Sequence, residues 1–188
     1  MPPKHRGDYA YISHAVESLK PKGGRAAVIV PLGTLFRGAS EGVIRRRLIE
    51  EGLLEGVIAL PPNLFAGTAI PVAILLFRTG RTDDSIFFID ASREFASEKT
   101  QHRLREEHIQ KIFDTWKYQR EVPGYSRLVP LADIESNDFN LNVSLYVADS
   151  AAVDLIDLSK GRQCVDGKHF SIHVRRSSPR HRWRLIAQ

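Results

Sequence analysis

The chain holds a single cysteine, Cys164, in 188 residues. That excludes an internal disulfide and any metal site built from several cysteines. No apolar run is long: the longest, Ile70 to Phe77, is broken by Pro71 and falls far short of the roughly 20 residues that span a bilayer as a helix. No apolar stretch follows the basic residues of Met1-Pro2-Pro3-Lys4-His5-Arg6, so a secretory signal is not expected. Membrane association is not expected, and a cytoplasmic location is. No G-x-G triplet and no internal repeat occurs anywhere. The histidines offer no clear metal site either. His102 and His108 stand six apart and His169 and His173 four apart, but neither pair has an evident third ligand.

What is present is the composition of a globular protein, 43% hydrophobic, and a length that supports one ordinary domain. The formal net charge of +5 is unevenly spread. Residues 160–188 carry eight basic side chains against Asp166 alone, a net of +7, and the other 159 residues hold 19 basic and 21 acidic groups. A basic tail of this kind can bind nucleic acid through counterion release. Two regions are expected: residues 1–147, a layered α/β domain in part, and residues 148–188, an irregular basic tail in which Pro, Ser and Arg dominate.

The pattern along the first region reads helix, strand, helix, strand, strand, strand. Tyr9, Ile12, Ala15, Val16 and Leu19 recur at helical spacing behind Asp8, a candidate N-cap. Lys20-Pro21-Lys22-Gly23-Gly24 ends that helix, and Arg25 to Val30 follows as a strand apolar on both faces, as a buried parallel strand is. Ser40 is a candidate cap for a second helix, Glu41 to Glu51, with Gly52 just beyond. Strands are expected at Leu53–Leu60, Val72–Arg78 and Ser85–Asp90. Early alternation implies parallel strands with right-handed crossovers. The later strands follow too closely for that, so some pair antiparallel. Arg105 to Arg120 is a charged helix with Ile109, Ile112, Phe113 and Trp116 assigned to one face. Arg127 to Leu131 is a candidate short strand, and Asn137 to Asn142 an Asn-rich loop. No strand precedes the first helix, so the chain is expected to begin in mid-fold.

Five ordered motifs carry a resemblance. They are Leu19-Lys20-Pro21-Lys22-Gly23-Gly24 leading into a strand; Val30-Pro31-Leu32-Gly33-Thr34-Leu35-Phe36-Arg37-Gly38; Ile58-Ala59-Leu60-Pro61-Pro62-Asn63-Leu64-Phe65-Ala66-Gly67-Thr68 with Ile70-Pro71; Phe88-Ile89-Asp90-Ala91-Ser92-Arg93-Glu94-Phe95; and Asn137-Asp138-Phe139-Asn140-Leu141-Asn142. Together, over residues 2 to about 147, they resemble the modification subunit of type I restriction-modification systems, an N6-adenine DNA methyltransferase. The resemblance implies the second half of a class I (Rossmann-like) methyltransferase sheet: parallel strands plus an antiparallel hairpin. It implies S-adenosylmethionine as the cofactor of the full-length family, and DNA, a specificity subunit and a restriction subunit as partners.

The departures matter as much. The family's glycine-rich cofactor loop and its Asn-Pro-Pro-aromatic motif are absent. Met1-Pro2-Pro3-Lys4 lacks the Asn and the aromatic residue, and Leu60-Pro61-Pro62-Asn63 has its Asn on the wrong side. No catalytic, cofactor-binding or metal-ligating residue is therefore assigned, and this chain alone is expected to be inactive and to hold S-adenosylmethionine at most weakly. A chain carrying the N-terminal half is a possible further partner. The resemblance places Phe65 where related enzymes stack an aromatic ring on the extruded adenine; the alternative is that Phe65 packs under its own loop. Arg37 stands where it could face the DNA backbone; the alternative is a solvated loop arginine. Arg45-Arg46-Arg47 read as a solvated helix face with i, i+4 carboxylates Glu41, Glu50 and Glu51. Competing functions are a non-catalytic subunit-interaction or nucleic-acid-binding fragment, and the remnant of an interrupted gene.

Overall fold

The computed structural model of the chain describes residues 7–148. All but the first residue of the basic region at 148–188 lies outside the described residues, as do Cys164, His169 and His173. In chain order the elements are α1 (Asp8–Glu17), β1 (Arg25–Pro31), a 3-10 turn (Leu32–Leu35), α2 (Ala39–Glu50), β2 (Leu54–Ala59), β3 (Val72–Arg78), β4 (Ser85–Asp90), β5 (Ala96–Ser97), β6 (His102–Arg103), α3 (Glu106–Tyr118), β7 (Ser126–Pro130), α4 (Leu131–Ser136) and α5 (Ser144–Val147).

Five strands form one sheet in the order β1-β3-β2-β4-β7. β3 is antiparallel to both β1 and β2, β2 is parallel to β4, and β4 is antiparallel to β7. So β1, β2 and β4 do run the same way, as alternation with helices requires. β1 and β2 are not neighbours in the sheet. β3 slots between them, with Ile29 opposite Ile74 on one side and Ile58 opposite Ile74 on the other. β5 and β6 make a separate small hairpin, too short to leave any periodicity in the sequence.

Side-chain alternation sorts the apolar residues onto two faces. Val30, Val57, Ala73, Leu75, Phe77, Ile86 and Phe88 share one core cluster with Tyr9, Ile12 and Val16 of α1, with Ile49 of α2, and with Ile134, Phe139, Leu141 and Tyr146 near the end of the described chain. Ile58, Leu60, Val72, Phe87 and Ile89 face the other way, toward Ile112 and Trp116 of α3. Gly56 is required here. A Cβ at that position would meet the Trp116 ring at 2.2 Å, so the strand gives up a side chain to let the indole lie against it.

Three local expectations are corrected. β1 is not buried on both faces: it is an edge strand among the described residues, and Ile29 is 55% exposed. Asp8 and Ser40 do not cap their helices. Gly7 and Gly38 occupy the N-cap positions, with no side-chain capping bond, and the Asp8 carboxylate is used elsewhere. The apolar residues of α3 share one face, within an arc of about 100°, but the flank with Ile112 and Trp116 packs inward while the flank with Ile109 and Phe113 is half exposed.

Candidate functional site

β1, β2 and β4 end at Pro31, Ala59 and Asp90 along one edge of the sheet, and in open α/β sheets this carboxyl edge is where ligands bind. The loops that follow these strands are stitched together by backbone hydrogen bonds. The Leu32 amide donates to the Pro71 carbonyl at 3.0 Å, Leu60 N to Val72 O at 2.9 Å, and Ala91 N to Ala59 O at 3.0 Å. The Asp90 carboxylate accepts from the Ser92 amide at 3.0 Å, a local turn bond that gives it a structural use.

The loop between β2 and β3 carries Phe65. Its stem is fixed from outside by the β5–β6 hairpin. His102 donates its backbone N–H to the Asn63 carbonyl at 2.8 Å, its ring Nδ1 lies 2.8 Å from the Pro62 carbonyl, and its ring stacks on Phe95 at 3.8 Å between centroids. Asn63 adopts a left-handed φ of 57°, a conformation that asparagine tolerates better than most residues. Leu64 then packs against the core cluster. Phe65 opens a tight turn closed by the Thr68 amide on the Phe65 carbonyl at 3.3 Å, with Gly67 at φ 83°. Phe65 itself is 44% exposed. The residue that packs under this loop is Leu64.

Arg37 lies in the loop after β1, and its surroundings were not legible in the sequence. Its guanidinium pairs with the carboxylates of Asp8 and Glu41 and donates to Thr34 Oγ1 at 3.1 Å. It is not a freely solvated loop arginine. The Glu41 hydrogen bond, ahead of the opposing effect of burial, holds it more firmly protonated than usual. Tyr9 donates its hydroxyl to the Thr34 carbonyl at 3.0 Å, and burial pushes that phenol above its ordinary value.

Sequence reasoning missed Arg45. It is 5% exposed. Its Nε donates to the Phe139 carbonyl at 2.8 Å and its Nη1 to the Arg37 carbonyl at 2.8 Å. With the Leu141 amide on the Leu35 carbonyl at 3.0 Å, this ties the Asn-rich loop to the loop after β1. One signal was available: Arg45 is in phase with Glu41 and Ile49 on α2, and all three are buried. Arg46 and Arg47 behave as expected, paired to Glu50 at 2.7 Å and Glu51 at 2.6 Å on the exposed face. The Asn-rich loop also satisfies its own backbone, with Asn137 Nδ2 donating to the Asp133 carbonyl at 2.7 Å and Asn142 N donating to Asn140 Oδ1 at 2.9 Å. His108 Nδ1 accepts the Arg105 amide at 3.1 Å. Among the described residues no three metal-ligating side chains come together, and no helix is long and apolar enough to cross a membrane.

The edge therefore presents two half-exposed aromatic rings, Phe65 on a braced loop and Phe36 in the loop after β1, and an arginine whose charge is compensated. Such a ring can stack on a planar ligand. Residues 1–154 match the family model described as N-6 DNA methylase. The chain is 36% identical over 165 residues to the type I restriction enzyme MjaVII methylase subunit of Methanocaldococcus jannaschii, covering 85% of this chain and 28% of that protein. It is 34% identical to the MpnII methylase subunit of Mycoplasma pneumoniae, covering 88% of this chain and 31% of that protein. Among solved structures it is similar to the methyltransferase subunit of a type I restriction-modification system from Streptococcus thermophilus, with a TM-score of 0.76 and 39% identity over 78% of this chain and 31% of that one. The chain thus spans about three-tenths of the length of these relatives.

Proposed function

The chain belongs to the N-6 DNA methylase family, and on that premise we propose that it forms the target-base side of a type I methylase subunit. That enzyme transfers a methyl group from S-adenosylmethionine to adenine N6 in DNA, in the cytoplasm, together with a specificity subunit and a restriction subunit. The observation that carries the proposal is Phe65, a half-exposed ring on a loop whose stem is clamped by the β5–β6 hairpin. An enzyme that modifies a base must extrude it from the stack and hold it, and stacking on an aromatic ring contributes about 1–3 kcal/mol per base. Arg37 enters this reading chiefly as a brace. Asp8 and Glu41 compensate its charge, which leaves Nη1, without a hydrogen-bond partner among the described residues, as the atom for a DNA backbone contact.

The residues present do not fit S-adenosylmethionine. The turns after β1, β2 and β4 begin Leu32-Gly33, Leu60-Pro61 and Ala91-Ser92, and none offers the spaced glycines that let a backbone approach a nucleotide closely. Asp90 is committed to the Ser92 amide. The cofactor and the polar grip on the target amine are assigned to polypeptide outside these 188 residues, including a chain carrying the N-terminal half. The edge of β1 supports this. Its outer side has no strand partner among the described residues, which suits a sheet that continues.

The test is transfer of labelled methyl from S-adenosylmethionine to adenine-containing duplex. The purified chain alone is expected to give none. Adding a polypeptide that carries the glycine loop and the Asn-Pro-Pro-aromatic motif is expected to give turnover that Phe65→Ala lowers at least about tenfold. Turnover by the chain alone, or a reconstituted enzyme indifferent to Phe65→Ala, overturns the proposal.

A further inference from the structure

Beside the loop after β1 lies a cavity of about 310 Å³ between the start of α2 and the Asn-rich loop, with Phe36, Arg45, Arg46, Asn137, Asp138 and Asn140 in its walls. Its volume falls within the usual range for small-ligand sites, about 300–1,000 Å³. The cavity is built rather than incidental. Arg45, buried to nine-tenths and more, bonds a carbonyl in each wall, Arg37 on one side and Phe139 on the other. Three of the five non-glycine residues with left-handed φ also line it: Ala39 at 54°, Asp138 at 55° and Phe139 at 54°. Backbone held in that region by its surroundings is a mark of functional sites.

We propose that this cavity binds a nucleobase of the DNA strand, distinct from the one stacked on Phe65. The chemistry of the walls selects the ligand class. Phosphate is disfavoured, because both guanidinium groups are committed, Arg45 to main-chain carbonyls and Arg46 to Glu50, while Asp138 adds a negative charge. What remains is a ring face, Phe36 at 47% exposure, and neutral carboxamides. Asn140 Nδ2 makes no hydrogen bond among the described residues, and its Oδ1 holds the Asn142 amide. An aromatic face with carboxamide groups is the set of contacts that recognises an unstacked base by its plane and its edge. The site opens beside the loop that is bonded to the Phe65 loop through Leu32 and Pro71, so both would act on the same nucleic acid. The inference rests on the DNA-directed reading above.

The test uses the full 188-residue chain and three probes: a short oligodeoxyadenylate, an abasic oligomer of equal length and charge, and free adenosine. The oligodeoxyadenylate is expected to bind at least about tenfold more tightly than the abasic oligomer. Phe36→Leu is expected to remove that preference without changing the melting temperature, because the ring is half exposed, and Phe65→Ala is expected to leave part of it in place. Hydrogen exchange at residues 137–142 is expected to slow when the oligodeoxyadenylate binds. A preference lost with Phe65→Ala and kept with Phe36→Leu overturns the cavity and leaves the Phe65 reading standing. Equal binding of the two oligomers, or unchanged exchange at residues 137–142, overturns the cavity. Free adenosine binding as tightly as the oligomer overturns the assignment to DNA.

Discussion

Two of the three consecutive arginines on α2, Arg45 and Arg47, should respond very differently to the same substitution. Arg45→Met keeps an unbranched side chain of comparable reach and removes the guanidinium. Two short hydrogen bonds from a buried cation are then lost, to the Phe139 and Arg37 carbonyls at 2.8 Å each. Bonds to charged groups contribute roughly 1.5–3 kcal/mol each, and the carbonyls left behind are desolvated. Relief from burying a charge offsets part of this. The balance is a loss of about 3 kcal/mol, which for a domain of this size lowers the melting temperature by about 6–12 °C. Arg47→Met breaks only the exposed pair with Glu51, an interaction that solvent and salt largely screen, and no measurable change is expected. Urea unfolding followed by far-ultraviolet circular dichroism reads both variants, and hydrogen exchange at Leu141, whose amide donates to Leu35, reports whether the Asn-rich loop has come away. Equal midpoints for Arg45→Met and Arg47→Met would refute the assignment of Arg45 as the tie between the two loops.

Gly56→Ala should destabilise the domain by at least about 1–3 kcal/mol, because the added carbon would lie 2.2 Å from the Trp116 ring and 2.9 Å from the Phe87 carbonyl; a melting temperature equal to that of the parent would show that α3 does not pack where described. Tyr125→Phe should be as stable as the parent or more so near neutral pH, since the buried Tyr125 hydroxyl has no hydrogen-bond partner, and chemical denaturation at pH 7 checks it. Burial raises the phenol pKa of Tyr9, Tyr125 and Tyr146, the last to about 12. A raised folded pKa means that the unfolded chain ionises first, so stability is full below pH 10.0 and falls as pH rises from there through the folded values. Tyr125→Phe should flatten that alkaline decline, and identical pH profiles for variant and parent would remove Tyr125 as a contributor. Asp83 titrates below its ordinary value, first through its hydrogen bond from Arg81. The stability it contributes is present above pH 3.8 and is lost as pH falls below that, and acid titration of Asp83→Asn should show a shallower loss.

How far the sequence could be read depended on the range of the signal. β3 and β4 have the bounds that their β-branched and aromatic runs imply, Val72–Arg78 and Ser85–Asp90, because a strand bounded by Gly, Pro or Asp carries its limits locally. The loop bearing Phe65 was legible through its motif, and so was the α/β class. The clamp on that loop was not. The hairpin that holds Pro62 and Asn63 has two residues per strand, and its contacts bridge some forty positions of chain. The α2 arginines show the same limit in another form. Glu41 stands four residues from both Arg37 and Arg45, and helical spacing alone favours the pair within the helix. The structure gives Glu41 to Arg37 and Arg45 to main-chain carbonyls, a choice set by where the loops lie.

The amino-acid order by itself determined the longer helices and strands, where chemistry-bearing loops fall, and which family these residues match, because period, punctuation and motif are properties of neighbours along the chain. Only the tertiary structure decided that β3 enters between β1 and β2, that Arg45 is buried while Arg46 and Arg47 are not, and that Phe36 and the Asn-rich loop enclose a cavity. Each of those outcomes pairs residues far apart in sequence, and such pairing is settled by burying apolar faces and satisfying buried polar groups across the whole sheet at once.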